Sequence, residues 1–235
     1  MLTCDFVRTG ENRVITVHHL EDSRSQRVLW LLEELEIPYE IKQYKRDPKT
    51  MLAPAELRHV HPLGKSPVIT DDKRTVAETG LIVDYLVERH GNGRLAPPTD
   101  SEARLNYEYW LHYAEGSAMP PLLLHLVFDT VEKKAPVVIK PIAKAISANV
   151  KKQFIRPQLN LHLDYMENEL RQHRWFVGDE FSAADIMMSF PLEAASSRQP
   201  DLKGRCPNIA TFVQRIHERP AYQRALEAGG PYAYA

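Results

Sequence analysis

The segment from His61 to Gly80 places the strongest constraint on how this chain can fold. Two short runs rich in β-branched residues, Val68–Thr70 and Thr75–Ala77, flank a charged turn, and this pattern predicts a β-hairpin. Pro67 precedes the first run and cannot donate a ladder hydrogen bond, so we expect the strand to begin there. Because cis peptide bonds are inexpensive only before proline, the Ser66–Pro67 bond is a candidate for the cis form.

The same segment predicts a binding edge beside an anion site. A cis bond would turn the N–H and C=O of Ser66 outward, where they can pair with the main chain of an extended peptide. After the second run, Glu78-Thr79-Gly80 opens a stretch with apolar residues at helical spacing. The free N–H groups and the positive dipole end at the start of that helix favour a bound carboxylate. We therefore expect an edge for peptide backbone next to a pocket for an anion.

Charge and cysteine content narrow the class of protein. The 31 acidic and 30 basic residues nearly cancel, which argues against a nucleic-acid surface or a polybasic membrane surface. Lys133-Lys134 and Lys151-Lys152 are interpreted as solvated helix faces. No apolar run approaches the roughly 20 residues of a membrane span. Cys4 and Cys206 are far apart and form no Cys-x-x-Cys pair, so we expect no disulfide framework and a cytoplasmic location.

The first part of the chain has the pattern of a small mixed α/β domain. The elements predicted ahead of the hairpin are a strand, a helix, a second strand and a short helix, at Val14–Leu20, between Ser23 and Pro38, at Tyr39–Tyr44 and at Pro54–Val60. Ser23 and Gln26 fit a capping box. Short connections predict a parallel pair for the first two strands. The order β-α-β-α-β-β-α is that of a thioredoxin-like domain over residues 1–92, with residues 1–13 as a loose leader.

Helical patterns dominate the rest of the chain. Residues 93–100, which are rich in proline and glycine, are predicted to be a linker before an all-α helical domain over residues 101–235. We expect the first long helix of this domain to break near Pro120-Pro121. Ser182 and Asp185 fit a second capping box ahead of a strongly apolar helix.

Four short motifs, specific only in combination, carry a resemblance to a known family. They are Ser23-Arg-Ser-Gln-Arg27, His61-Pro-Leu-Gly-Lys-Ser-Pro67, Ala77-Glu-Thr-Gly80 and Phe181-Ser-Ala-Ala-Asp185. From about Val14 to Tyr222 the chain resembles the soluble glutathione transferases. His61, Ser66 and Thr79 replace the family's usual Asn, Val and Ser. Together with Tyr113-Ala-Glu-Gly-Ser117-x-x-Pro-Pro121, the hairpin motif looks most like a fungal and bacterial subgroup.

This resemblance implies a serine-type site for the thiol of glutathione. The thiolate, not the thiol, is the nucleophile. Ser23 is expected to donate a hydrogen bond to the thiolate at a helix N-terminus, whose dipole also favours the anion. Ser25 is a second candidate for this role, and Ser23 could instead serve only as a helix cap.

The resemblance also implies which residues bind the rest of glutathione. The backbone of Ser66, beside Pro67, is expected to pair with the cysteinyl unit. Glu78 is expected to bind the amine of the γ-glutamyl end, and Thr79 its α-carboxylate. Lys65 is expected to neutralise the glycyl carboxylate or to remain a solvated surface residue.

The second substrate is expected to be a small, apolar electrophile. Candidates for its binding wall lie on the first helices of the second domain, although aromatics at helical spacing also form cores: Tyr109, Trp110, Tyr113 and Met119. His18-His19 and His59-x-His61 are followed by no third ligand at suitable spacing, so no metal is predicted.

Three functional hypotheses follow. The leading one is a glutathione transferase that conjugates or reduces electrophiles, with peroxidase activity included. The second is a glutathione-dependent disulfide reductase or isomerase, in which glutathione must carry both sulfurs. The third is a non-catalytic interaction module, which the intact Ser23, Lys65, Pro67 and Glu78-Thr79 disfavour. The resemblance also implies a homodimer, and no nucleic-acid partner is expected.

Overall fold

The computed structural model describes residues 14–199 and 201–234, so the predicted leader lies outside the described residues. A four-stranded sheet in the order β2-β1-β3-β4 forms the first part. Its strands are β1 (Ile15–Leu20), β2 (Tyr39–Tyr44), β3 (Val68–Asp71) and β4 (Arg74–Ala77). The parallel pairing of β1 with β2 and the β3–β4 hairpin are both as predicted. β1 also pairs with β3 in the antiparallel sense. β3 is therefore an inner strand of the sheet, and β4 is an edge strand.

The helices of this first part complete the predicted element order. They are α1 (Ser25–Leu35), a 3₁₀ turn (Ala55–His59) and α2 (Thr79–His90). α1 ends where Glu36 adopts a left-handed conformation with φ 55°, two residues before Pro38. The thioredoxin-like order β-α-β-α-β-β-α is confirmed, with the 3₁₀ turn in place of the second helix.

The remainder of the described chain is helical, which confirms the predicted fold class. Its helices are α3 (Glu102–Tyr113), α4 (Met119–Lys134), α5 (Lys140–Val150), α6 (Arg156–Gln172), α7 (Ala183–Arg198), α8 (Leu202–Arg205), α9 (Pro207–His217) and α10 (Pro220–Gly229). π turns join α3 to α4 and α5 to α6, over Ala114–Ala118 and Lys151–Ile155. Among the described residues, no helix combines the length and the apolar character that a membrane crossing requires.

The predicted break near Pro120-Pro121 lies earlier than expected. The chain widens into the π turn over Ala114–Ala118, and both prolines fall in the first turn of α4. A proline cannot donate to the preceding turn and its ring crowds that turn, so a wider turn immediately before it accommodates both effects. The regular α-helical pattern is therefore interrupted at Ala114–Ala118, and Glu115 of this turn forms ion pairs with Arg24 and Arg27 at the start of α1.

α7 is the central helix of the helical part, and its predicted capping box is confirmed. Asp185 is 0% exposed and accepts hydrogen bonds from the backbone N–H groups of Phe176 and Ser182, both at 2.9 Å. These bonds satisfy donors at a buried helix start and tie the preceding loop to it.

The predicted capping box of Ser23 and Gln26 is wrong. α1 begins at Ser25, and the position before it, Arg24, makes no side-chain cap bond. Gln26 is buried, and its side chain lies against Gly229 of α10 instead of reaching back to the helix start. The Ser23 hydroxyl accepts from the N–H of Ser25 at 3.2 Å. A contact from the far end of the chain therefore overrides the local pattern.

Candidate active site

Two adjoining clefts lie between the hairpin and the helical part, and together they contain Ser23 and all five residues predicted to bind the rest of glutathione. The first cleft contains Ser23 and is bordered by α4 and α7. The second lies over the start of α2 and contains Pro67, Glu78 and Thr79. Arg24, Lys65 and Ser66 line both clefts. The two clefts are therefore parts of one continuous site.

The loop before β3 presents an open stretch of main chain between the clefts. The Ser66–Pro67 bond is cis, as the sequence predicted. The Ser66 hydroxyl donates to the carbonyl of His18 at 2.9 Å and ties the loop to β1, a role for this side chain that the sequence did not indicate. Within the described part of the chain, the N–H and C=O of Ser66 make no hydrogen bond. This main chain is therefore able to pair with a ligand.

The junction of β4 and α2 aims an acidic side chain at the second cleft. Glu78 has φ 73°, a conformation that is uncommon for a residue other than glycine and that concentrates at ligand sites. Its side chain is exposed, whereas Thr79 is buried at the first position of α2. The first N–H groups of a helix have no intrahelical partner and carry its positive dipole end. The junction therefore offers a carboxylate beside a group of anion-binding donors.

The two candidate serines at the start of α1 differ in access to the clefts. Ser25 is 0% exposed, and its hydroxyl lies 2.9 Å from Nδ1 of His19 and 2.7 Å from the Ser23 hydroxyl. Burial lowers the pKa of His19, which favours the neutral form of the ring. Ser23 is 6% exposed and lines the first cleft. Of the two serines, only Ser23 is among the residues that line these two clefts.

An arginine pair and a glutamate support the floor of the clefts. Glu115 lies between Arg24, whose Nε is 3.1 Å from one carboxylate oxygen, and Arg27, which bonds to the other. Burial acts to raise the pKa of Glu115, but the charges of Arg27 and Arg24 outweigh it and hold that pKa below its usual range. Arg27 is 1% exposed and also donates to the carbonyl of Met187 at 2.6 Å. The start of α1 is thereby fixed against α7 and the π turn.

The first cleft combines positive charge with an apolar wall. Four cationic side chains and one acidic side chain line it, namely Arg24, Arg46, Lys65, Arg198 and Asp22. Met119, Leu123, Leu126 and Phe190 form the apolar side. An anion with an apolar neighbour fits such a lining.

Only one of the four predicted wall residues lines this cleft. Met119 does, whereas Trp110 is 0% exposed and packs on Tyr165 of α6 with ring centroids 5.4 Å apart. Tyr113 bonds to His162 at 2.6 Å in the same cluster, and Tyr109 packs against Tyr165 at 6.5 Å. The aromatic spacing on α3 thus reflects packing between α3 and α6.

The structure adds residues to the site that sequence reasoning missed. Arg24 and Glu115 lie inside the motifs that carry the family resemblance, so those motifs could have pointed to them. Arg46, Phe190 and Tyr234 lie in no motif and reach the first cleft only through the tertiary fold. Within the described residues, no group of three His, Cys, Asp or Glu side chains is arranged to hold a metal ion.

The fold and the clefts define a class of protein: a thioredoxin-like domain joined to a helical part, with two adjoining clefts between them. Family models for the glutathione S-transferase N-terminal and C-terminal domains match residues 23–89 and 131–220. Glutathione S-transferase 3 of Schizosaccharomyces pombe is 36% identical over 217 residues, which cover 91% of this chain and 87% of that protein. Glutathione S-transferase 1 of Saccharomyces cerevisiae is 32% identical and covers 91% and 94%. This chain belongs to the glutathione S-transferase family.

Solved structures agree with this assignment. A glutathione S-transferase from Actinobacillus pleuropneumoniae has a TM-score of 0.74 and 31% identity, covering 94% of each chain. A sphingomonad glutathione S-transferase, solved in complex with glutathione, shares the fold with a TM-score of 0.69 and 23% identity, covering 92% and 98%. The prediction of a glutathione transferase, and with it of an enzyme, is confirmed at the level of the family.

Proposed function

We propose that this protein binds glutathione across the two clefts and activates its thiol for attack on small, apolar electrophiles. The observation that carries this proposal is that Ser23 and Glu78 line adjoining clefts, with the open main chain of Ser66 between them. The names of the yeast relatives and the glutathione complex of the sphingomonad relative support it.

The γ-glutamyl end of glutathione is assigned to the second cleft. The carboxylate of Glu78 binds the amine, and the Thr79 hydroxyl with the first N–H groups of α2 binds the α-carboxylate. The N–H and C=O of Ser66 pair with the cysteinyl unit, as in the addition of a β-strand. These contacts direct the thiol from the second cleft toward the first.

The thiol is activated in the first cleft. The Ser23 hydroxyl donates a hydrogen bond to the thiolate, and the N-terminus of α1 and the guanidinium of Arg24 add positive potential. A serine hydroxyl at this position is no base, so the thiol proton leaves to solvent and Ser23 acts by stabilising the anion. One pKa unit corresponds to about 1.4 kcal/mol of preference for the thiolate, which one such hydrogen bond can supply.

Other side chains of the first cleft are assigned to the glycyl carboxylate of glutathione and to the electrophile. Lys65 and Arg46 line this cleft, and we assign them the countercharge for the glycyl carboxylate. Met119, Leu126 and Phe190 offer an apolar surface for the electrophile.

Replacement of Glu78 by glutamine is expected to raise the Kd for glutathione about tenfold with little change in kcat, because a neutral amide binds the ammonium group less well than a carboxylate does. Titration calorimetry measures the Kd. Asp72→Asn is the matched control, since Asp72 is an exposed acidic residue of the same hairpin with a similar positive φ of 55°. An equal loss in both variants would contradict the role assigned to Glu78.

Assays of the purified full chain test the proposed reaction. We expect binding to immobilised glutathione and turnover of an activated aryl chloride, with an organic hydroperoxide as a second substrate. Reduction of a mixed disulfide without aryl conjugation would instead support the reductase hypothesis. No binding of glutathione at millimolar concentration would support an interaction module.

A homodimer, a cytoplasmic location and a domain boundary at residues 93–100 belong to the same proposal. Light scattering coupled to size exclusion tests the dimer, and fractionation of cells that express the native chain tests the location. Limited proteolysis tests the boundary, because cleavage concentrates in exposed connections.

A further inference from the structure

The tip of the α4–α5 hairpin carries apolar side chains that no described part of the protein covers. Val137 and Val138, in the connection between the two helices, are 87% and 89% exposed. Ile139 and Ile142 follow at 50% and 62%. An exposed group of neighbouring apolar side chains is typical of a contact surface.

Most of the lysines around this tip form no ion pair with an acidic residue of the described chain. Residues 133–152 contain six lysines and no Asp or Glu, although the whole chain has a net charge of -1. Lys151 is buried between Asp129 and Glu132, at 2.5 and 2.8 Å. The other five are exposed and form no ion pair among the described residues: Lys133, Lys134, Lys140, Lys144 and Lys152. Residues 133–152 are therefore a cationic segment in a chain that is nearly neutral overall.

The lysines of α4 and α5 lie at distances from the apolar tip that match the thickness of a lipid headgroup layer. Lys133 and Lys134 end α4, and Lys140 begins α5, directly beside the exposed valines. Lys144 lies about 7.5 Å along α5 from Ile139, at 1.5 Å per residue. Interfacial segments bury their apolar side chains about 5–10 Å into the headgroup boundary, while long lysine side chains remain at its polar level.

We propose that this tip docks on the surface of a bilayer that contains anionic phospholipid. Val137, Val138 and Ile139 insert at the headgroup boundary, and the surrounding lysines bind lipid phosphates. Two copies of the chain do not fit this contact, because apposed tips would bring unpaired lysines against lysines. A nucleic acid would accept the lysines but leave the valines in water.

A row of exposed apolar side chains on α4 connects the tip to the first cleft. Val131, Val127 and Leu123 repeat at every fourth residue of α4 between the tip and the cleft, and all three are exposed. This stripe, together with the function proposed above, offers apolar electrophiles dissolved in a bilayer a route to the cleft. Docking itself does not depend on that function and is tested without it.

Vesicle flotation of the full chain tests the docking. We expect the protein to float with vesicles that contain phosphatidylserine and not with vesicles of phosphatidylcholine alone. Binding should be lost between 0.1 M and 1 M salt, where the screening length falls from about 10 Å to about 3 Å. A chain that stays unbound with phosphatidylserine vesicles at 0.1 M salt overturns the proposal.

Two pairs of substitutions locate the contact. Lys140→Glu with Lys144→Glu should weaken binding at least about 25-fold, because each lysine near an anionic surface strengthens it about fivefold. Val137→Ser with Val138→Ser should weaken it at least about tenfold through lost apolar burial. Lys73→Glu with Lys203→Glu, which changes two exposed lysines elsewhere, is the matched control and should leave binding unchanged. An equal effect of the control pair overturns the proposal.

Two further readouts separate the tip from other contacts. A change in oligomeric state in the valine variant would identify a contact between copies of the chain and overturn the lipid assignment. Binding of a single-stranded oligonucleotide that is as tight as vesicle binding and survives the valine substitutions would also overturn it. Glutathione conjugation without vesicles should be retained in all variants, so a failure to dock is distinguishable from a failure of the proposed reaction.

Discussion

Replacement of Ser23 by alanine is expected to lower kcat for aryl conjugation about 50-fold, because a hydrogen bond to a charged group contributes about 1.5–3 kcal/mol. The Kd for glutathione should change little, since the contacts assigned to Glu78, Thr79 and Ser66 remain. The pKa of the bound thiol should rise by about one to two units, which pH-dependent thiolate absorbance measures directly.

Ser25→Ala is the control that decides between the two serines. Its hydroxyl bonds within the protein to His19 and Ser23, and Ser25 lines neither of the two clefts. The loss of these bonds should lower the free energy of unfolding by about 1–3 kcal/mol and leave the thiol pKa unchanged. A raised thiol pKa in Ser25→Ala, with a normal value in Ser23→Ala, would reverse the assignment.

Asp185→Ala is expected to lower the free energy of unfolding by about 4 kcal/mol. The substitution leaves the N–H groups of Phe176 and Ser182 buried without a partner, at about 1–3 kcal/mol each, and removes a helix cap. Urea denaturation followed by far-ultraviolet circular dichroism measures the change.

Ser101→Ala is the control that separates the effect of burial at Asp185 from the effect of losing a helix cap. Ser101 accepts from the N–H of Arg104 at 3.2 Å at the half-buried start of α3, so its loss should cost only about 1 kcal/mol. Equal losses in the two variants would show that burial adds nothing at Asp185.

The sequence predicts most reliably where a local signal and the tertiary fold agree. Pro67 marks the start of β3 because a strand can accept a proline only where no ladder donor is needed. Ser182 and Asp185 form their capping box because both partners of each bond lie within four residues. Five of the six site residues cluster in the hairpin segment, so one motif locates them together.

Prediction from the sequence fails where contacts with distant parts of the chain determine the position of a side chain. Gln26 has the right spacing for a capping box with Ser23, but Gly229 of α10 receives its side chain. Trp110 and Tyr113 have the spacing of a substrate wall and of a helix core alike, and only the position of α6 distinguishes these possibilities. The apolar wall of the first cleft comes from α4 and α7, which no local pattern connects to Ser23.

The carboxyl-terminal tail has a practical consequence for recombinant work. The N–H of Ala233 donates to Asp22 at 2.8 Å, and the ring of Tyr234 packs on Phe190 with centroids 5.3 Å apart. Any purification tag attached beyond Tyr234 would therefore emerge at the rim of the first cleft. Kinetic comparisons are best made with tag-free enzyme, because such a fusion could obstruct entry of the electrophile and imitate a catalytic defect.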